Sequence, residues 1–375
     1  MVPAEERTVE RLTLALVFGG ASPEHDVSLV SARGILEHLD RDRYEVVLVG
    51  VDRGGTPRVG GGDLLAGGLD RGAGTPVRWP ASPADRRLRE EATGRPCGPP
   101  LDVVFPIVHG PGGEDGTLQG VFALAGIPFV GPGVLGSALA MDKDRARRML
   151  AAEGLPVVRD VVLAGPVLDD PGGRLAAVEP LGYPVFVKPA RAGSSIGISR
   201  VRDPAGLGPA LEEARRVDPK VVVEAAVPAA REIEVAVLGN LEPAASVPGE
   251  IVPAGEFYDY RAKYEDPSSE LLVPAPLPVE LAERVRSLAL DAFRALDLRG
   301  MARVDFLYSR RDGTLVVNEV NTLPGFTPIS MYPRLWAATG LPYPRLLDRL
   351  VELAREASGR DGAPGADSPT AASRR

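Results

Sequence analysis

Residues Leu12 to Phe18 form an unbroken apolar run that stops at Gly19-Gly20. Val27 to Leu39 then places its apolar residues at helical spacing, and Tyr44 to Val51 reads as a second strand. A βαβ unit of this kind commits the chain to a parallel sheet, with functional loops at the carboxyl ends of the strands. At roughly 150 residues per domain, 375 residues leave room for two or three domains.

Composition excludes several classes of function. A chain that is 44% hydrophobic and 25% charged is an ordinary soluble globular protein. The single Cys97 cannot form an intrachain disulfide, and three histidines with one cysteine argue against a Cys/His zinc site. A net charge of −8 disfavours non-specific nucleic-acid binding. No apolar run reaches the roughly 18 residues of a membrane span, and the acidic, polar start MVPAEERTVER is unlike a signal peptide. The expected compartment is the cytoplasm. Only four of the 43 basic residues are lysines: Lys143, Lys188, Lys220 and Lys263. A lysine kept among so many arginines hints at a need for a compact point charge.

Residues 52–100, rich in Gly, Pro and Arg, read as an irregular excursion from the first α/β unit. The rhythm resumes with the strand LDVVFPIV, the loop HGPGGEDG, a helix over Thr117 to Ala125, a short strand IPFV and a helix through MDKDRARRMLAAEG. Paired strands follow in PVFVKPARAGSSIGISRV, VVVEAAV and REIEVAVLG, with a helix near 204–216. A helix near 279–296, the strands MARVDFLY and TLVVNEVN, and helices near 331–339 and 343–356 complete the fold. From Gly359 onward the tail is small and polar, as in disordered segments.

The strongest chemical constellation lies in the last two strands. Arg303 and Asp305 are two apart and share one face, as do Glu319 and Asn321. If these strands are neighbours, Asp305, Glu319 and Asn321 converge as hard oxygen ligands suited to Mg²⁺. The alternative is a surface hairpin with scattered charges, but acidic groups within apolar strands need partners. Lys188 closes an apolar strand before the Ser194-Ser195 loop, which can cap phosphate oxygens or serve as a flexible hairpin. No GxxxxGK[ST] occurs, so this is not a Walker loop.

Gly131 to Gly136 matches GxGxxG, but its strand is short, Pro132 removes an amide, and Lys143 follows where an acidic strand end is needed. A tight helix-entry turn fits better than a dinucleotide site. Glu24, His25 and Ser28 sit at a helix entry, where the N-terminal amides favour an anion, and His109 and Glu114 occupy a comparable loop. Capping and loop hydrogen bonding are the structural alternative for both groups.

Taken in order, FGGASPEHDVSLVSA, HGPGGEDGTLQG, GIPFVGPGVLGSALAMDK, FVKPARAGSSIGISRV, REIEVAVLGN, FYDYRAKY, ARVDFLY and NEVNTLPGFTPISMYP resemble the D-alanine:D-alanine ligase family of the ATP-grasp superfamily. The resemblance runs from about Leu14 to Leu353, apart from the excursion. It implies a mixed α/β and α+β ATP-grasp fold with an N-terminal parallel α/β substrate domain. The expected divisions are residues 1–137 for that domain, 138–225 for a central subdomain, 226–358 for a C-terminal metal-binding subdomain and 359–375 for the tail. The implied reaction is ATP-dependent ligation of two D-alanines through a D-alanyl phosphate, giving ADP, phosphate and a dipeptide for peptidoglycan, and hence for cell-wall biogenesis and cell shape.

The same resemblance assigns roles. Lys143 and Lys188 would hold ATP phosphates, Ser194 and Ser195 would lie in the phosphate lid, Glu224 and Val227 would edge the adenine pocket, and Glu232 would meet the ribose. Asp305, Glu319 and Asn321 would bind two Mg²⁺, with Mn²⁺ as a substitute. Glu24 would take the first D-alanine's ammonium, with His109 near its carboxylate. Arg303 and the Gly325 amide would stabilise the tetrahedral intermediate, and Ser330 and Met331 would position the second carboxylate. Tyr264 would link to Glu24 and Ser194, and Lys263 would help shut the site. The Tyr-containing loop favours an amine over a D-lactate nucleophile. Small-molecule substrates, no nucleic acid, no membrane and a homodimer complete the implication. One departure is the hinge EAAVPAARE, where Ala225 and Ala226 replace the charged and aromatic residues common in relatives. A non-catalytic nucleotide-binding relative and a dehydrogenase built on GPGVLG are the competing readings.

Overall fold

A computed structural model describes residues 11–252 and 269–361. In the first of three sheets, β1 (Leu12–Gly19) pairs in parallel with β2 (Tyr44–Val51) on one side. On its other side it pairs, again in parallel, with β7 (Val103–Pro106). The helix His25–His38 makes the crossover and buries Leu29, Ala32 and Ile35 against Leu14, Leu16 and Phe105. The expected parallel unit is therefore present, but it forms only one end of the sheet. Residues 52–100 contribute β3 (Pro57–Gly60), β4 (Thr75–Arg78), β5 (Leu88–Glu90) and β6 (Pro96–Cys97), which extend the β2 edge in antiparallel fashion. These strands are two to four residues long, too short to show a period of two in the sequence.

The second sheet is antiparallel, in the order β10 (Ser199–Val201), β9 (Val185–Pro189), β11 (Lys220–Ala225), β8 (Asp160–Ala164). The helix Leu207–Val217 covers one face, where Leu207, Leu211 and Ala214 meet Val185, Val187, Val221 and Val223. The third sheet contains β12 (Ala230–Gly239), β13 (Ala244–Ala245), β14 (Gly249–Val252), β15 (Glu270–Leu272), β16 (Gly300–Ser309) and β17 (Leu315–Asn321). Strand β12 runs antiparallel to β16 over its whole length, and β16 pairs antiparallel with β17. Helix Val279–Ala295 lies on one face through Val285, Ala289 and Phe293.

Three features of the fold depart from or extend the sequence expectations. The helix expected through MDKDRARRMLAAEG is present as Lys143–Ala152, and a separate helix, Val134–Met141, precedes it, the two divided at Asp142 in an extended conformation (φ −92°, ψ 101°). Asp142 caps the second helix by accepting from the Arg145 amide. Lys220 Nζ then reaches Asp142 Oδ1 at 2.7 Å and Asp144 Oδ2 at 3.2 Å, which gives that lysine a structural role. IPFV makes one isolated bridge, Val104 to Phe129, rather than a strand. The final helix, Tyr343–Asp361, continues past the point where the polar tail was placed.

One continuous core joins the first sheet to the chain's end: Leu16, Phe18 and Phe105 share it with Phe326, Tyr332, Leu346 and Leu350. Burying these side chains together brings the carboxyl ends of β1 and β7 to the loop that follows β17. Among the described residues no helix is long and apolar enough to cross a membrane.

Candidate active site

Glu24, just before the crossover helix, is 5% exposed. Its carboxylate accepts the Ser194 hydroxyl from the β9–β10 loop. Gly110 and Gly193 crowd the other side: a Cβ at either would come within 2.6 or 2.9 Å of Glu24 Oε2. Ser194 and Ser195 both adopt left-handed backbone (φ +48° and +60°), a strained choice for non-glycine residues that clusters at ligand clamps.

The loop after β7 reaches across to the loop after β17. His109 Nδ1 lies 3.0 Å from the Leu323 carbonyl and Nε2 lies 3.3 Å from Ser31 Oγ, while Ser31 Oγ accepts the Phe326 amide. Leu323 O needs a donor, so this network assigns the proton to Nδ1 and leaves Nε2 to accept from Ser31. Burial lowers the His109 pKa, against the opposing pull of Glu24, and keeps the ring neutral. Glu114 Oε2 accepts the Gly110 amide at 2.7 Å and Oε1 accepts the Leu323 amide at 3.2 Å. Burial, followed by the nearby Glu24 carboxylate, pushes the Glu114 pKa up to about 8.

On the third sheet, Asp305 is the direct cross-strand partner of Glu319, and Arg303 of Asn321. Arg303 grips Asp305 with two bonds of 2.7 Å and lies 3.1 Å from Glu234 Oε2. Burial alone would weaken its charge, but Asp305 and Glu234 hold the pKa well above the ordinary arginine value. Asn321 Nδ2 donates to Asp305 Oδ2 at 2.8 Å, which leaves Oδ1 as the donor atom it can offer. The two carboxylates and that amide oxygen form a hard, sulfur- and imidazole-free set that fits Mg²⁺. Among the described residues, the one cluster of His, Cys, Asp or Glu side chains with closely grouped ligand atoms is elsewhere, at His25, Asp26 and Asp70. There Arg53 already bridges the two aspartates at 3.0 and 3.1 Å.

Lys143 Nζ bonds the Ala192 carbonyl at 2.6 Å and stands 3.9 Å from Glu319. Burial and, among like charges, Lys188 favour its neutral form, against the pull of Glu319. Lys188 Nζ pairs with Glu224 Oε2 at 2.7 Å, and Arg147 takes Glu224 Oε1 and Asp160. Burial would raise the Glu224 pKa, but Arg147 and Lys188 hold it below the usual carboxylate range. The expected adenine-edge carboxylate is thus also an anchor for the lysine beneath the phosphate loop.

These residues line two adjoining cavities. The first collects Glu24, His109, Ser194, Arg303, Asn321, Gly325, Ser330 and Met331, with Glu114 in its wall. The second, about 1510 Å³ including its open mouth, collects Lys188, Ser195, Glu224, Val227, Glu232 and Asp305. Lys143, Ser194, Glu234 and Glu319 line both and so mark the junction. Lys263 and Tyr264 lie outside the described residues. The Gly131 to Gly136 turn leads into the helix Val134–Met141 and lines neither of these two cavities.

Sequence reasoning missed three participants. Glu234 shares a strand face with Glu232, a signal that the alternation in REIEVAV carried. Arg147 gave no signal within an arginine-rich helix. Strict alternation puts Asn318 off the face shared by Glu319 and Asn321, but the register slips between Asp305 and Phe306, so Phe306 pairs with Val317 and Asn318 is the extra residue. A bulge turns an added side chain out of strict alternation, and Asn318 lines the second cavity beside Glu319.

Comparison with known proteins agrees along nearly the whole chain. Residues 13–132 match the family model for the D-ala D-ala ligase N-terminus, and residues 149–352 match that for the C-terminus. A D-alanine:D-alanine ligase of Thermoanaerobacter sp. (strain X514) is 49% identical over 353 residues, covering 93% of this chain and 98% of the relative. The crystal structure of the VanG D-Ala:D-Ser ligase of Enterococcus faecalis superposes with a TM-score of 0.82 at 36% identity, covering 92% of this chain and 100% of that one. The D-alanine-D-alanine ligase of Coxiella burnetii gives 0.82 at 34% identity, covering 94% and 96%.

Proposed function

The chain belongs to the D-alanine:D-alanine ligase family, and from that premise we propose that its two cavities couple ATP to the joining of two D-alanines, the second larger cavity taking ATP and the first taking both amino acids. It is a ligase with the α/β ATP-grasp fold that forms the D-alanyl-D-alanine peptide bond for peptidoglycan precursor synthesis. The observation that carries the assignment of cavities is their junction: Lys143, Ser194, Glu234 and Glu319 face both, where a phosphoryl group would pass from one ligand to the other.

In this reading Glu24 binds the ammonium of the first D-alanine, and its carboxylate lies toward His109 and Arg303. Both His109 nitrogens are engaged by protein groups, so the ring shapes the pocket rather than exchanging a proton. A carboxylate oxygen of that D-alanine attacks the γ-phosphorus of ATP. The bond from γ-phosphorus to the bridging oxygen breaks and ADP leaves, producing a D-alanyl phosphate. Lys143 and Lys188 neutralise the phosphates, and Ser194 and Ser195 lie over them. Asp305, Glu319 and Asn321 would hold two Mg²⁺, or Mn²⁺ in their place, which supply charge neutralisation on the phosphate oxygens when bound.

The amine of the second D-alanine, held through its carboxylate by Ser330 and Met331, then attacks the acyl carbon. Arg303 and the Gly325 amide face the oxyanion that forms, and as the C–O bond breaks phosphate departs, taking up the proton that the amine nitrogen gives up. Glu224, Val227 and Glu232 border the nucleoside end of the second cavity. Lys263 and Tyr264 would close the site, as the family resemblance implies. Domain limits near 137, 225 and 358, a homodimer and a cytoplasmic location complete the proposal. Because Ala225 and Ala226 line the second cavity, adenine packing there rests on small side chains.

The test is product identity. Protein incubated with ATP, Mg²⁺ and D-alanine yields ADP, phosphate and D-alanyl-D-alanine. Turnover that appears only on adding D-serine or D-lactate overturns the acceptor assignment.

A further inference from the structure

Glu114 has no part in the chemistry above, yet with His109 and Ser31 it is one of the side chains that take hold of the loop after β17. Its two carboxylate oxygens accept two backbone amides that lie far apart in the chain, Gly110 at 2.7 Å and Leu323 at 3.2 Å. Leu323 lines the first cavity, and Gly110 directly follows His109, which also lines it. Gly110 is the residue whose Cα packs against the Glu24 carboxylate, so closely that a Cβ would sit 2.6 Å from Oε2. Leu323 begins the turn that presents the Gly325 amide, and the far side of that turn is pinned where the Phe326 amide meets Ser31 Oγ at 3.2 Å. The Leu323 peptide is held a second time by His109 Nδ1 on its carbonyl. One loop therefore grips both ends of a single residue, and the donor and acceptor demands of that residue are met only when the two sheets are in register.

Building on the ligase reading above, we propose that Glu114 is a positioning residue for the first D-alanine: by accepting the Gly110 and Leu323 amides at once, it fixes the distance between Glu24, which takes the ammonium, and Gly325, which faces the developing oxyanion. A buried carboxylate beside a second carboxylate is an unfavourable arrangement. It is sustained here by two backbone donors, one on each carboxyl oxygen, and a carboxyl group keeps an acceptor on both oxygens in either protonation state. A glutamine of the same shape offers one acceptor oxygen and turns an NH2 toward the other amide, so it keeps one contact and makes the second repulsive. Glu114 lines the first cavity and not the second, so its effect is confined to the amino-acid site.

The experiment is steady-state kinetics on the full chain with Mg²⁺, comparing the native protein with Glu114→Gln and Glu114→Asp and fitting separate KM values for ATP and for the first and second D-alanine. Loss of one hydrogen bond, with a buried amide left facing an NH2, predicts a rise of about 10- to 100-fold in the first D-alanine KM for the glutamine variant. The KM for ATP should stay within about twofold, since the second cavity is untouched. The aspartate variant keeps a carboxyl group with two acceptor oxygens but retracts it by one methylene and should fall between the two; if the glutamine variant does not fold, the aspartate variant carries the test. An unchanged first-site KM in the folded variants overturns the proposal. So does a parallel rise in the KM for ATP, because that would mark general loss of structure. A native protein that does not turn over D-alanine at all would instead remove the ligase reading, and that is measured first.

Discussion

Glu114 also makes a prediction about stability that needs no substrate. In the folded chain its pKa is about 8, against 4.5 for an ordinary glutamate, because burial and then Glu24 disfavour the charge more than the Gly110 and Leu323 amides and Arg303 favour it. The folded state therefore holds a proton that the unfolded chain gives up near pH 4.5. Its contribution is fully present below that pH and is lost as pH rises through about 8. Each pH unit in the interval is worth up to about 1.4 kcal/mol, and the partial exposure of the side chain reduces the total between pH 5 and pH 8 to on the order of 2–4 kcal/mol. At about 2 cal/mol/K per residue of unfolding entropy, that is a shift of roughly 2–5 °C in melting temperature for a chain of this size. The assay is the melting temperature of the native protein and of Glu114→Gln, without ligands, from pH 5 to pH 8.5. The difference between the two curves should change by that amount, in the direction that favours the variant as pH rises. Parallel curves would refute the raised pKa that burial, and then Glu24, impose on Glu114.

Other perturbations separate the remaining parts of the site. Glu319→Gln should lose turnover while retaining the fold, because it removes a proposed metal ligand at the junction of the cavities; near-native activity would remove the metal assignment. Chelation with EDTA should stop turnover and Mg²⁺ should restore it, whereas full activity in the chelator would contradict the Asp305, Glu319 and Asn321 set. Lys188→Met should raise the KM for ATP by at least about tenfold with little change in either D-alanine KM, the pattern expected when a phosphate contact is lost. Arg147→Met strands Glu224 and Asp160 from their shared partner and should lower stability by about 3–5 kcal/mol, measured by denaturant unfolding.

Much of this site is legible in the amino-acid sequence because its residues sit where local rules are strong. The β1 run ending in Gly19-Gly20 announces both a parallel strand and a loop at its carboxyl end, and Glu24 follows directly. Arg303 and Asp305, then Glu319 and Asn321, could be paired from alternation alone, and their strands are neighbours. What was hidden depends on context that alternation does not encode. The bulge opposite Asp305 returns Asn318 to the cavity, and no local propensity marks where a register will slip. The break at Asp142 is set by its cap and by Lys220 reaching in from β11, a contact between residues far apart in the chain. The strands of 52–100 are antiparallel additions held by an edge of β2 rather than by their own composition. Glu114 reads as loop polarity until the loop after β17 is folded against it.

The account stands most directly on what the protein makes. Incubation of the purified chain with ATP, Mg²⁺ and D-alanine alone, followed by mass analysis of the products and a count of phosphate released, should give D-alanyl-D-alanine with one phosphate per dipeptide. Tight ATP binding with no dipeptide, or a product formed only when D-serine or D-lactate is supplied as the second substrate, would contradict it.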